Sequence, residues 1–168
     1  MKKLICLCAL VAYTASNAQE SNLHPERSGF ILRVPRNVKQ TYVQQVNPGP
    51  YFAQDKILQL YPHEKVWIEV EIKADTVYSM TSVKENLHPE KTLEIEFCQT
   101  VEKGTAKPTQ VWIKNPFDRK LVYNSLVYSI EDSKWQSDSH TAKAKWSSNE
   151  IWRKETISSV VMKDWKFE

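Results

Sequence analysis

Three of the four histidines in this sequence keep nearly the same company. Asn22-Leu23-His24-Pro25-Glu26-Arg27 and Asn86-Leu87-His88-Pro89-Glu90-Lys91 share one short string, and Pro62-His63-Glu64-Lys65 is a shorter variant. Histidine and glutamate are natural Zn²⁺ ligands, so His24, His63 and His88 form the candidate metal set. Their spacing argues against it. There is no His-x-His or His-x₃-His pair, and an adjacent proline and glutamate do not converge easily on one ion. Proline-centred polar clusters mark turns leading into strands, and that reading is preferred, with no metal and no cofactor expected. The repeat is not a tandem duplication, because likeness ends after six residues.

Other chemical groups are sparser. Cys98 shares a strand phase with Glu94 and Glu96, and acidic neighbours raise a thiol pKa and suppress the reactive thiolate. There is no Gly-x-Ser-x-Gly elbow and no glycine-rich phosphate loop. Glu69 with Glu71, and Glu94 with Glu96, are carboxylates at strand spacing, each pair about 7 Å apart on one face. That spacing suits glycosidase chemistry, but a solvated strand face produces it far more often. No catalytic residue is assigned. The alternative is a small periplasmic metal-binding protein or hydrolase using His63, His88, His140 and the glutamates.

The tryptophans are more telling. Trp146 runs in phase with Ala142 and Ala144, and Trp165 with Val161 and Phe167, as core residues should. Trp67 and Trp112 instead occupy the polar phase of well-alternating strands and should project outward. Outward tryptophans stack on sugar rings or anchor protein partners, which makes these two the candidate ligand-binding residues. They could equally pair across strands to stabilise a sheet.

The elements that would position these residues are strands. Thr109 to Glu131 reads as strand, tight turn, strand. Val111 and Ile113 share one face, Asn115-Pro116-Phe117-Asp118 punctuates, and Leu121, Tyr123, Ser125 and Val127 alternate again. Val66, Ile68, Val70 and Ile72 alternate with Trp67, Glu69, Glu71 and Lys73, and Leu93, Ile95 and Phe97 do the same. Further strands are predicted over Gly29–Val34, Thr41–Val46, Thr76–Val83, Ala142–Trp146 and Thr156–Phe167, while Lys56–Tyr61, apolar on both faces, reads as a strand or a single helical turn. Asn47-Pro48-Gly49-Pro50 is the strongest turn signal, and Glu131 to Ser139 reads as a polar loop. Apolar spacing of three and four residues, which a helix needs, is missing. The expected fold is all-β: a two-layer antiparallel sandwich of seven to nine short strands with no disulfide.

Composition bounds the setting. Met1-Lys2-Lys3, the apolar run Leu4 to Tyr13 and the small residues Ser16-Asn17-Ala18 form a signal peptide over residues 1–18, cut after Ala18. The apolar run is too short to span a bilayer. The exported chain would hold 150 residues, with a flexible lead-in over 19–28 and one domain over 29–168. Cys6 and Cys8 leave with the signal, so Cys98 stands alone. Losing Lys2 and Lys3 leaves 21 basic against 20 acidic residues, interspersed. Neither nucleic acid nor an anionic membrane is expected as partner. The setting is periplasmic or secreted, and the expected partner is an unknown envelope protein or glycan.

From about Val66 onward the chain resembles small exported bacterial proteins with an immunoglobulin-like sandwich domain. Lys114-Asn115-Pro116, Leu121-Val122-Tyr123 and the ending from Ile151-Trp152 through Ile157-Ser158-Ser159-Val160 to Phe167 carry the likeness. It implies a disulfide-free sandwich and brings no catalytic residue with it. Together these readings point to a non-enzymatic exported binding or structural module. Mass spectrometry of the exported protein should find a chain beginning at Gln19; an acylated Cys8 terminus would be the contrary result.

Overall fold

The computed structural model describes residues 22–37, 39–102, 105–153 and 156–168; the signal peptide lies outside them. Fourteen strands follow in chain order: β1 Glu26–Arg27, β2 Phe30–Asn37, β3 Gln40–Val46, β4 Gly49–Pro50, β5 Phe52–Gln54, β6 Ile57–Leu60 and β7 Glu64–Lys73. Then come β8 Thr76–Val83, β9 Thr92–Glu102, β10 Thr105–Lys114, β11 Leu121–Ser129, β12 Lys134–Ala142, β13 Ser147–Trp152 and β14 Ile157–Phe167. The first sheet has the order β13-β10-β9-β7-β8 and the second β12-β11-β14-β6-β5, all pairs antiparallel. They stack as a sandwich without a disulfide. Strands β2 and β3 form a separate hairpin, and β1 with β4 a two-residue ladder. Among the described residues fourteen strands stand against the expected seven to nine: β1, β4 and β5 are only two or three residues long, below what alternation can register, and the mostly polar β12 reads as a loop.

The core follows the alternation where alternation is strong. Val66, Ile68 and Val70 from β7 meet Leu93, Ile95 and Phe97 from β9, with Val111 and Ile113 from β10. Leu58, Leu60, Leu121, Tyr123, Val127, Val160 and Met162 close on them from the second sheet. Each such apolar side chain contributes about 1.5–3 kcal/mol on burial.

Four expectations change. Strands β10 and β11 are not a hairpin, since one lies in each sheet. The Asn115-Pro116-Phe117-Asp118 segment is a corner between layers. Asn115, buried, donates through Nδ2 to the carbonyls of Arg119 (2.8 Å) and Ala142 (3.2 Å) and accepts the Phe117 N–H. The supposed loop around Trp135 is β12, an edge strand paired with β11 over nine residues. Apart from Trp135 and the buried Ala142 its side chains are polar on both phases, so its pattern carries no strand signal. Trp146 falls in a turn and is 66% exposed instead of core. In β14 two register shifts, one beside Ser158 and one at Asp164 (φ 58°), each insert a residue. Val160, Met162 and Trp165 therefore face inward and Val161 does not.

The segment before β2 is tied to the sandwich over its described residues, from Asn22 onward. Leu23 bridges to Val83, and Arg27 is buried. Its Nε donates to Glu64 Oε1 (2.8 Å) and Nη2 to Glu64 Oε2 (3.3 Å); Nη1 donates to Pro50 O (3.0 Å) and Nη2 to Gln59 O (2.6 Å). Both partners are 8% exposed. The guanidinium lies against the rings of Tyr51 and Tyr61, at 5.0 and 5.2 Å, and Glu64 Oε2 also accepts the Tyr61 N–H. A buried charge left without its partner is costly. Glu64→Ala should therefore lower the unfolding free energy by roughly 3–5 kcal/mol, whereas Arg27→Met combined with Glu64→Leu should cost far less. Urea unfolding of both variants checks this.

Candidate functional site

The two tryptophans singled out in the sequence sit on one surface, the outer face of the first sheet. In register, Trp67 lies beside Glu94, and Trp112 beside Glu96, on opposite sides of β9. Trp112 is 40% exposed and Trp67 half-buried. Charges fill the space between: Lys65 pairs with Glu94 and hangs over the Trp67 ring at 5.6 Å, while Lys91 pairs with Glu69 at 2.9 Å. A shallow hollow of about 190 Å³ is lined by Glu94, Glu96, Trp112, Lys114 and Ser147. Trp67 is not part of it. The two rings flank a carboxylate strip, Glu94 and Glu96 of β9, and share no hollow.

The histidine strings lie at three separate places. The His24 N–H donates to Ser82 O beside β8, the His63 N–H to Phe97 O at the start of β7, and the His88 carbonyl accepts from Lys91 and Thr92 before β9. His24 (φ 51°) and His63 (φ 77°) hold left-handed turn conformations. Among the described residues no group of three His, Cys, Asp or Glu side chains converges as a metal site would require. The Cys98 thiol is pushed up in pKa, first by burial and less by Glu96, against hydrogen bonds from Gln110 and Trp112 that pull it down. The direction matches the sequence reading; the main cause does not.

The fourth histidine is where chemistry gathers. His140 on β12 contacts Ser125 Oγ of β11 through Nε2 at 2.7 Å and Glu150 Oε2 of β13 through Nδ1 at 3.2 Å. With Nδ1–H donated to Glu150, Nε2 accepts the serine proton, the polarity of a serine nucleophile chain. The chain joins the second sheet to β13 of the first. Ser125, however, is 2% exposed, so its hydroxyl faces the interior and not solvent. The His140 ring is tilted over Tyr123 at 5.3 Å, and Tyr123 stacks on Trp165 at 5.0 Å. Ser125 was legible as an inward serine; its partners, 15 and 25 positions further on, were not.

A cleft on the outer face of the second sheet has a different character. Trp135, Tyr128 and Ser159 lie in register across β12, β11 and β14, with Gln59 of β6 paired to Val161 and Tyr61 following it. The β2–β3 hairpin packs Leu32, Val34 and Val46 on Ile130, and Phe30 and Tyr42 against the same cluster with Tyr61. Tyr42 and Gln44 then wall a cleft of about 210 Å³, floored by Gln59, Tyr61, Tyr128, Trp135, Ser158 and Ser159. None of these eight residues carries a charge. The Trp135 ring, 49% exposed, meets Tyr128 edge-on at 5.4 Å. Sequence reading missed this site because it is built from the supposed loop, a weak hairpin and a short strand.

No protein-family model, curated protein or solved structure matches this chain.

Tyr123 supplies a test of the buried polar chain. Burial, and secondly the Glu150 carboxylate, raise its phenol pKa well above the ordinary 10.0. A folded-state pKa above the unfolded one contributes stability that is complete below pH 10.0 and is lost as pH rises beyond it. Unfolding free energy measured across that range should fall less steeply in Tyr123→Phe than in the unaltered protein; parallel curves would contradict the assignment.

Proposed function

We propose that this chain is an exported, non-enzymatic binding module of immunoglobulin-like kind, working in the periplasm or outside the cell. Its ligand is an envelope protein or glycan, held in the cleft between the β2–β3 hairpin and the second sheet. The observation that carries the reading is that cleft: four aromatic side chains, two amides and two hydroxyls, with no charge among them. Aromatic rings give contact area at small entropic cost, and uncharged amides and hydroxyls orient a ligand without a large desolvation penalty. The Trp67 and Trp112 face is a second, more polar contact surface in this reading.

The exported chain immobilised in envelope extract should retain a component that Trp135→Ala does not retain. Equal retention by that variant and by Tyr42→Ala would remove the cleft from the reading.

A second reading, a small hydrolase with Ser125 as nucleophile, His140 as base and Glu150 as its orienting carboxylate, has the 2.7 and 3.2 Å contacts in its favour. The burial of Ser125 weighs against it. A fluorophosphonate probe should leave the folded protein unlabelled, and labelling abolished by Ser125→Ala would reverse the ranking of the two readings.

A further inference from the structure

We infer that the cleft takes one neutral pyranose ring of a glycan, stacked on Trp135. This rests on the binding-module reading and names the ligand class at the same site. Three properties of the lining lead there.

The first is charge. With Tyr42, Gln44, Gln59, Tyr61, Tyr128, Trp135, Ser158 and Ser159 around it, the cleft holds nothing to balance a phosphate, a carboxylate or an ammonium group. A charged ligand would lose its hydration there without compensation. The Arg27 guanidinium lies by the Tyr61 ring, but its donors are taken up by Glu64, Pro50 and Gln59.

The second is the pattern of unused hydrogen-bonding groups. Tyr42 donates its hydroxyl to Gln44 Oε1 (3.0 Å), which leaves the Gln44 amide hydrogens without a partner among the described residues. Gln59 donates from Nε2 to Tyr61 Oη (3.2 Å) and to Ser159 Oγ (3.1 Å). Among the described residues Gln59 Oε1 has no donor, and the Tyr61 hydroxyl, accepting from Gln59, keeps its own proton to donate. Donors and an acceptor thus sit side by side. A sugar hydroxyl donates once and accepts up to twice, so a pair of neighbouring ring hydroxyls satisfies both kinds. A proline-rich peptide offers carbonyl acceptors with few donors, and it would leave Gln59 Oε1 unmatched.

The third is size and shape. About 210 Å³ falls below the roughly 300–1,000 Å³ of pockets that enclose drug-sized ligands. One ring fits, with the rest of the glycan outside. Trp135 meets Tyr128 edge-on and is half exposed, which leaves an indole face to receive the apolar C–H face of a pyranose.

The test uses the exported chain and defined probes: the neutral oligosaccharides cellohexaose, maltohexaose and chitohexaose, an acidic hyaluronan oligomer, and a proline-rich peptide. Calorimetry and tryptophan fluorescence should show at least one neutral oligosaccharide binding with an affinity insensitive to salt. Trp135→Ala, at an exposed position that should not disturb folding, should weaken it by about 10- to 30-fold, the loss expected for an aromatic anchor. Trp67→Ala and Trp112→Ala should leave it unchanged. Binding of none of the three neutral oligosaccharides overturns the inference. So does saccharide binding that survives Trp135→Ala. Trp135-dependent binding of the peptide or the hyaluronan oligomer alone would overturn the neutral-sugar assignment while leaving the binding-module reading intact. Failure of that reading looks different: nothing, probe or envelope component, would then depend on Trp135.

Discussion

A guanidinium taken out of water has to be answered by a carboxylate and by carbonyls, and the residues that answer Arg27 are drawn from four parts of the chain. Glu64 opens β7 in the first sheet, Gln59 belongs to β6 in the second, Pro50 to β4, and Tyr61 sits on the corner between the layers. Satisfying one buried cation therefore sets how the chain passes from one sheet to the other. It also presses Tyr51 and Tyr61 against the guanidinium, where burial raises both phenol pKa values. Because Tyr61 also belongs to the cleft, the ion pair fixes part of its floor. A hydrophobic contact could hold the corner as firmly, but without directional donors it would not fix the position of each carbonyl so narrowly.

Several polar groups elsewhere in the interior are paired in the same way, although the buried Asn86 Oδ1 is not. Gln99 donates to Thr109 across β9 and β10, Asn115 ties its corner to β12, and Ser125 is answered by His140. The Ser125–His140–Glu150 chain shows how close such pairing comes to a catalytic constellation. Hydrogen-bond polarity is shared between the two roles; access is what separates them, and the serine faces the core. The two sheet surfaces diverge just as clearly. The first carries ion pairs around Trp67 and Trp112, while the cleft on the second is uncharged.

Alternation was legible wherever a strand has one dry face and one wet face. Val66 to Lys73, Leu93 to Cys98 and Gln110 to Lys114 were read with their faces correctly assigned, and the break at Asn115 was found, though as a hairpin turn and without its side-chain bond to Phe117. The readings that failed share a cause. Strand β12 is an edge strand with mostly wet side chains, and Trp135 and Ala142, seven positions apart, give it no apolar alternation. In β14 the two inserted residues reverse the phase, and a single repeat cannot describe it. Trp146 followed an apparent alternation that ends at Ala142, where the strand itself ends. Arg27 looked like a residue of a polar lead-in, since nothing local reports the carboxylate 37 positions away.

The sequence by itself determined that this is an all-β chain whose layers are built from alternating strands, because side-chain period is a local property that each strand expresses alone. Which strands share a sheet, that β10 and β11 part company, and that Tyr42, Tyr61, Tyr128 and Trp135 meet over one cleft were decided only by the tertiary structure. Those relations depend on pairing between segments up to about a hundred residues apart, such as Gln59 with Ser159. They are settled by which buried polar groups and apolar faces can be satisfied together, a condition that no local stretch of sequence contains.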